Sequence, residues 1–122
     1  MVLASGREIL VIGVVGAGRM GLPMVRRLAE AGHRVRVAAR SDAARGALTR
    51  EPAEIVPGVA EVGEGADAVL VCVHTDEQVR EVCLESGLLD AMPAGGILVV
   101  HTTASPHTVE AVACGVRGRR RR

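Results

Sequence analysis

Residues 8–21 read EILVIGVVGAGRMG. Glu8 to Val15 forms an almost continuous apolar run, and a glycine-rich turn follows it directly. A strand buried on both faces has this composition, because neither side of it meets water. From Arg19 to Ala31 the pattern changes period, with Met20, Met24 and Leu28 spaced along one side of a helix. Gly32 then stands where a helix end favours a left-handed residue.

The same alternation continues in the C-terminal direction. His33 to Ala39 (HRVRVAA) alternates as a second strand, and Ser41 or Asp42 caps a helix reaching about Arg50. Ala53 to Val56 reads as a short strand, and Pro57 opens a turn of helix. Ala68 to Val73 (AVLVCV) is again a buried strand, and Asp76 is expected to cap a helix continuing to Ala91. Gly95-Gly96 precede a strand from Ile97 to His101. Ser105 caps a last helix, with Pro106 at its first position, where a missing N–H costs nothing. Strands alternating with helices imply an α/β fold, a doubly wound parallel sheet of Rossmann type with right-handed crossovers.

Composition narrows what this fold can do. The chain has 122 residues, suited to one domain, and contains no Phe, Tyr or Trp. Its core must be built from Val, Leu, Ile, Ala and Met, which bury less area per residue than aromatic rings. All fifteen basic residues are arginine, so no lysine is present for chemistry. Five of those arginines fall at Arg117 and Arg119 to Arg122, leaving ten against fourteen acidic residues in the rest. Cys72, Cys83 and Cys114 are odd in number and form no C-x-x-C pair, which indicates neither a disulfide framework nor zinc. No stretch approaches the ~20 apolar residues of a membrane span, and Arg7 and Glu8 do not give a signal-peptide layout. The expectation is a cytoplasmic protein without a metal site.

The turn Gly16-Ala17-Gly18-Arg19-Met20-Gly21 is a G-x-G-x-x-G between a buried strand and a helix. In that setting Gly16 permits the tight turn, Gly18 admits a pyrophosphate to the backbone, and Gly21 lets helix and strand approach. The helix N-terminus offers free N–H groups and the positive end of its dipole to phosphates. A nicotinamide dinucleotide is therefore the expected ligand. NAD sites usually place Asp or Glu at the end of the second strand; here the chain has Ala39, Arg40 and Ser41. An arginine suits a 2′-phosphate, so NADP is expected over NAD, although a solvated loop residue is the plainer reading of Arg40.

Residues 11–33, VIGVVGAGRMGLPMVRRLAEAGH, resemble the N-terminus of the β-hydroxyacid dehydrogenase family, which includes 3-hydroxyisobutyrate dehydrogenase and is related to 6-phosphogluconate dehydrogenase. The G-x-G-x-M-G core, Pro23-Met24 and the Ala-Gly-His turn carry the likeness. Ala39-Arg40-Ser41 stands where the family usually has Asn-Arg-Ser/Thr. Residues 67–79 resemble the family's strand and following loop, and residues 100–106 its Asp-x-Ser-Thr-x-Ser-Pro segment, with Val100 in place of the Asp. The resemblance implies cofactor contacts from Val73, His74, Gln78 and Thr103, in addition to the glycine loop, Arg40 and Ser41. It also implies hydride transfer between the nicotinamide and a β-hydroxyacid or related carbonyl. Family members continue with a sixth strand and an all-helical domain bearing a catalytic lysine. The likeness stops near residue 113, so a truncated chain without catalysis of its own is expected.

Plainer readings compete at several positions. His33 suits a helix–strand turn, His74 a solvated loop, and Thr102, Thr103 and Ser105 the caps and turns of a loop. His101 and His107 are not spaced as a metal pair on one helix face. Residues 1–114 are expected to form the domain and 115–122 a disordered arginine tail. That tail has two readings: an anchor for nucleic acid, an anionic surface or another chain, which would make the protein a non-catalytic binding module, or the product of a shifted reading frame. With strand order 3-2-1-4-5, the strand 97–101 would be an unpaired apolar edge, and Val109, Val112 and Val116 would lack part of their usual cover. Weak self-association through that edge is expected.

Overall fold

The computed structural model describes residues 8–16, 21–39, 41–101 and 103–120, with side chains to residue 118. Ala17, Gly18, Arg19, Met20, Arg40 and Thr102 lie outside the described residues. Five parallel strands form one sheet: β1 (Val11–Val15), β2 (Arg34–Ala38), β3 (Glu54–Ile55), β4 (Ala68–Val71) and β5 (Ile97–Val100). Their order is β3-β2-β1-β4-β5. The register sets Val14 beside Val37 and Leu70, and Leu70 beside Val99.

Two apolar layers cover the two faces of the sheet. On one, Val14, Val35 and Val37 pack with Val25 of α1 (Gly21–Glu30) and Leu48 of α2 (Asp42–Leu48). On the other, Val15, Val69 and Val71 pack with Val62 of α3 (Val59–Gly63) and Val79 of α4 (Asp76–Arg80). Leu88 of α5 (Leu88–Ala91) and Val112 of α6 (Pro106–Arg120) complete that second layer. Successive residues of a strand point to opposite faces, so adjacent Val14 and Val15 serve different layers. The chain changes face between β1 and β4.

Local chemistry explains the boundaries. Gly32 ends α1 at φ 94°, its N–H reaching the Ala29 carbonyl at 3.0 Å. Ser41 caps α2, its Oγ accepting the Ala44 N–H at 3.1 Å. Ser105 caps α6 by accepting the Thr108 N–H at 3.3 Å, with Pro106 first in the helix. The apolar side of α1 is centred on Val25, one residue beyond the expected Met24, with Leu22, Leu28 and Ala29 around it.

Three expectations need correction. Thr75 rather than Asp76 caps α4: its Oγ1 accepts the Gln78 N–H while the Gln78 side chain returns to the Thr75 N–H. The expected helix from Asp76 to Ala91 is broken. A π-helical turn spans Glu81–Glu85, and Gly87 at φ 82° separates it from α5. Ser86 helps to end the turn, its hydroxyl donating to the Val82 carbonyl at 2.5 Å. Val112 is buried in the second layer instead of lacking cover, whereas Val109 is exposed. Helix α6 is continuous from Pro106 to Arg120.

On the edge strand β5, Ile97 and Val99 are 61% and 37% exposed. Among the described residues no helix is long and apolar enough to cross a membrane. Cys72 and Cys83 are buried and Cys114 is exposed, all as free thiols. Burial pushes the Cys83 thiol up to about 11 and moves Cys72 in the same direction. Since the thiolate is the nucleophile, a thiol reagent at neutral pH is expected to titrate Cys114 in the native protein. Cys72 and Cys83 should follow only when denaturant is added. A colorimetric thiol titration with and without denaturant checks this.

Candidate dinucleotide site

The chain changes face between β1 and β4, and doubly wound sheets bind their ligands in the crevice outside the carboxyl ends of the strands at such a point. Gly16 follows β1 there at φ 91°, and its N–H donates to the Ala38 carbonyl at 3.2 Å. A side chain at Gly16 would overlap the Cys72 carbonyl oxygen, and one at Gly21 would overlap the Gly16 carbonyl oxygen. The loop's first and last glycines are therefore required by backbone packing. They bring the N-terminus of α1 against the ends of β1 and β4. Cys72 continues β4, its N–H reaching the Val15 carbonyl at 2.8 Å, and its thiol lies 3.7 Å from the Met24 sulfur of α1.

The other expected site residues gather along the same edge. Ser41 stands exposed one helix over, its Oγ engaged in the cap of α2. Val73 is buried and His74 exposed in the loop after β4, and Thr103 is exposed in the loop after β5. Gln78 has a structural task that the sequence reading missed. Its Oε1 accepts the N–H groups of His74 and Thr75 at 2.7 and 3.1 Å, which fixes the loop carrying Val73 and His74. The spacing Thr75-x-x-Gln78 is a capping-box signal and could have revealed it.

Asp76 was also missed as a link between elements. Its two carboxylate oxygens accept the Ser105 N–H at 3.2 and 3.3 Å, joining the loop after β4 to the one after β5. Hydrogen bonds from Ser105, with smaller help from Thr108 and the charge of Arg80, hold this carboxyl below its ordinary range.

A concavity of about 290 Å³ lies at the opposite, amino ends of the strands, lined by residues that include Val11, His33, Arg34, Arg36 and Glu54. His33, Arg36 and Glu54 among these already have structural partners. His33 Nδ1 accepts the Leu10 N–H at 3.1 Å. The Arg36 guanidinium donates to the Glu61 and Glu64 carbonyls at the end of α3 and lies 3.6 Å from Glu54. The chemistry thus belongs to the carboxyl edge. Among the described residues no group of three His, Cys, Asp or Glu could hold a metal ion.

The chain is similar to known oxidoreductases. An uncharacterized oxidoreductase of Shewanella frigidimarina (strain NCIMB 400) is 36% identical over 108 residues, covering 84% of this chain and 36% of the relative. The protein of Arabidopsis thaliana named "Probable 3-hydroxyisobutyrate dehydrogenase-like 1, mitochondrial" is 35% identical over 104 residues, covering 84% of this chain and 31% of its own length. The chain therefore spans about a third of the length of these curated relatives. The 3-hydroxyisobutyrate dehydrogenase of Mycobacterium tuberculosis, solved with L-serine, superposes with a TM-score of 0.84. That match covers 91% of this chain and 38% of the other at 24% identity, which speaks to the fold alone. Residues 11–120 match the family model for the NAD binding domain of 6-phosphogluconate dehydrogenase. The chain belongs to that family, as an N-terminal dinucleotide-binding domain of the β-hydroxyacid dehydrogenase group.

Proposed function

We propose that this chain binds NADP(H) and serves as the cofactor half of a 3-hydroxyisobutyrate-dehydrogenase-like oxidoreductase. The observation that carries the reading is the fit of Gly16 and Gly21 at the β1–β4 crevice, where a Cβ at either would strike a backbone carbonyl. In this reading Gly16, Ala17, Gly18, Arg19, Met20 and Gly21 hold the pyrophosphate against the N-terminus of α1. Arg40 and Ser41 receive the adenosine 2′-phosphate, and no carboxylate follows β2 directly to oppose it. Val73 and His74 line the ribose, Gln78 keeps their loop in place, and Thr103 meets the edge of the nicotinamide. When bound, the nicotinamide supplies or accepts a hydride. The substrate class proposed is a β-hydroxyacid or related carbonyl. No lysine occurs in these 122 residues, so the chain's own contribution is to bind and orient the cofactor.

Titration of the purified chain with NADPH and with NADH, followed by nicotinamide fluorescence, tests the proposal. The chain has no tryptophan or tyrosine to complicate the signal. A charge-assisted contact from Arg40 favours NADPH over NADH by roughly ten- to a hundredfold, and Arg40→Ala is expected to erase most of that difference. A folded chain that binds neither dinucleotide refutes the reading. Equal affinity for both, unchanged by Arg40→Ala, removes the NADP preference and leaves dinucleotide binding.

A further inference from the structure

We propose that Asp76 is a positioning residue for the nicotinamide half of the site, acting through its hold on the loop that follows β5. The inference rests on the dinucleotide reading above. Two adjacent strands, β4 and β5, deliver the loops carrying Val73 and His74 on one side and Thr103 on the other. These two loops face the cofactor together only if something fixes their spacing. The Asp76 carboxylate does so, because both of its oxygens accept the N–H of Ser105, two residues after Thr103.

Neither helix needs this carboxylate for its own cap. Thr75 caps α4 through the Gln78 N–H, and Ser105 Oγ caps α6 through the Thr108 N–H. The bond from Asp76 runs between elements and is additional to both caps. Further contacts secure the same junction. Ser105 Oγ donates to Thr108 Oγ1 at 3.1 Å, and Arg80 Nε, at the far end of α4, donates to that same oxygen at 3.3 Å. Thr108 is fully buried, so this junction is anchored in the core, while Thr103 of the loop it sets is exposed. A charge-assisted bond at a partly buried junction is stronger than a neutral one.

The test separates the two halves of the cofactor. NADPH spans both, whereas adenosine 2′,5′-bisphosphate fills only the half near β2. Asp76→Ala is expected to weaken NADPH about tenfold and to leave adenosine 2′,5′-bisphosphate binding within twofold of the parent. Asp76→Asn retains an acceptor for the Ser105 N–H and is expected to recover most of the NADPH affinity. Calorimetric titration of the three proteins with both ligands gives the comparison. Equal weakening of both ligands by Asp76→Ala marks a general structural role and overturns the inference, as does no weakening of either. If the parent chain binds neither ligand, the dinucleotide reading itself fails and the role of Asp76 falls with it.

Discussion

Gly21→Ala is expected to abolish measurable NADPH binding, with at least a hundredfold loss of affinity, and to lower stability as well. The methyl group would occupy the position of the Gly16 carbonyl oxygen, with the carbonyl carbon also within contact. Both atoms are backbone, so no side-chain rotation relieves the overlap, and α1 must move away from the end of β1. Moving α1 displaces the N–H groups that face the pyrophosphate in the proposed complex. Losing two charge-assisted contacts of ~1.5–3 kcal/mol each reduces affinity by about a hundredfold or more. Overpacking of this kind costs roughly 1–3 kcal/mol of stability. Gly46→Ala provides the contrast, since Gly46 lies within α2 with nothing near its Cβ position. That change is expected to stabilise the protein by about 0.5–1 kcal/mol and to leave binding intact. Nicotinamide fluorescence gives the affinities, and urea unfolding followed by far-UV circular dichroism gives the stabilities. A Gly21→Ala protein that binds NADPH normally would mean that the loop does not depend on the close approach of its two outer glycines.

The parts of this protein legible in the sequence are those decided by neighbours along the chain. The apolar run before Gly16, the left-handed Gly32 and the Ser105-Pro106 cap depend on local backbone rules, and the structure has them where those rules put them. Other features depend on partners remote in sequence. Arg36 read as one more alternating strand residue, yet it closes the end of α3 by reaching two carbonyls more than twenty positions away. Asp76 looked like a helix cap because Asp is common there, but its partner is Ser105 on another element. The break at Ser86-Gly87 was a local signal of turn type, outweighed by the apolar periodicity on both sides of it. Within the candidate site, the glycine spacing disclosed the crevice. The hydrogen bonds that hold the loops after β4 and β5 join residues that come together only when those strands pair.

The absence of aromatic residues places unusual weight on close backbone packing, and Gly13→Ala measures that weight. Gly13 lies in the central strand β1, between Arg36 of β2 and Val69 of β4. A Cβ there would overlap the Val62 side chain and stand 2.7 Å from the Val62 carbonyl oxygen. The next residue of α3, Gly63, meets α5 in the same way: its Cβ would lie 2.9 Å from Leu88 Cδ1 and 3.0 Å from the Leu88 carbonyl oxygen. Helix α3 is thus wedged between β1 and α5, with backbone contact on both sides. Valines supply less buried area than aromatic rings, and the missing Cβ atoms let the layers close around them. Gly13→Ala is expected to destabilise the protein by about 3 kcal/mol, a large share of the ~5–15 kcal/mol that holds a domain folded. Val62→Ala in the same molecule distinguishes the two clashes. It removes the side-chain overlap but not the carbonyl contact, so the double variant should stay well below the parent in urea midpoint. Recovery of full stability by Val62→Ala would show that the side chain alone sets the limit. It would mean that the β1–α3 spacing can relax after all, and that the core does not depend on this glycine contact for its cohesion.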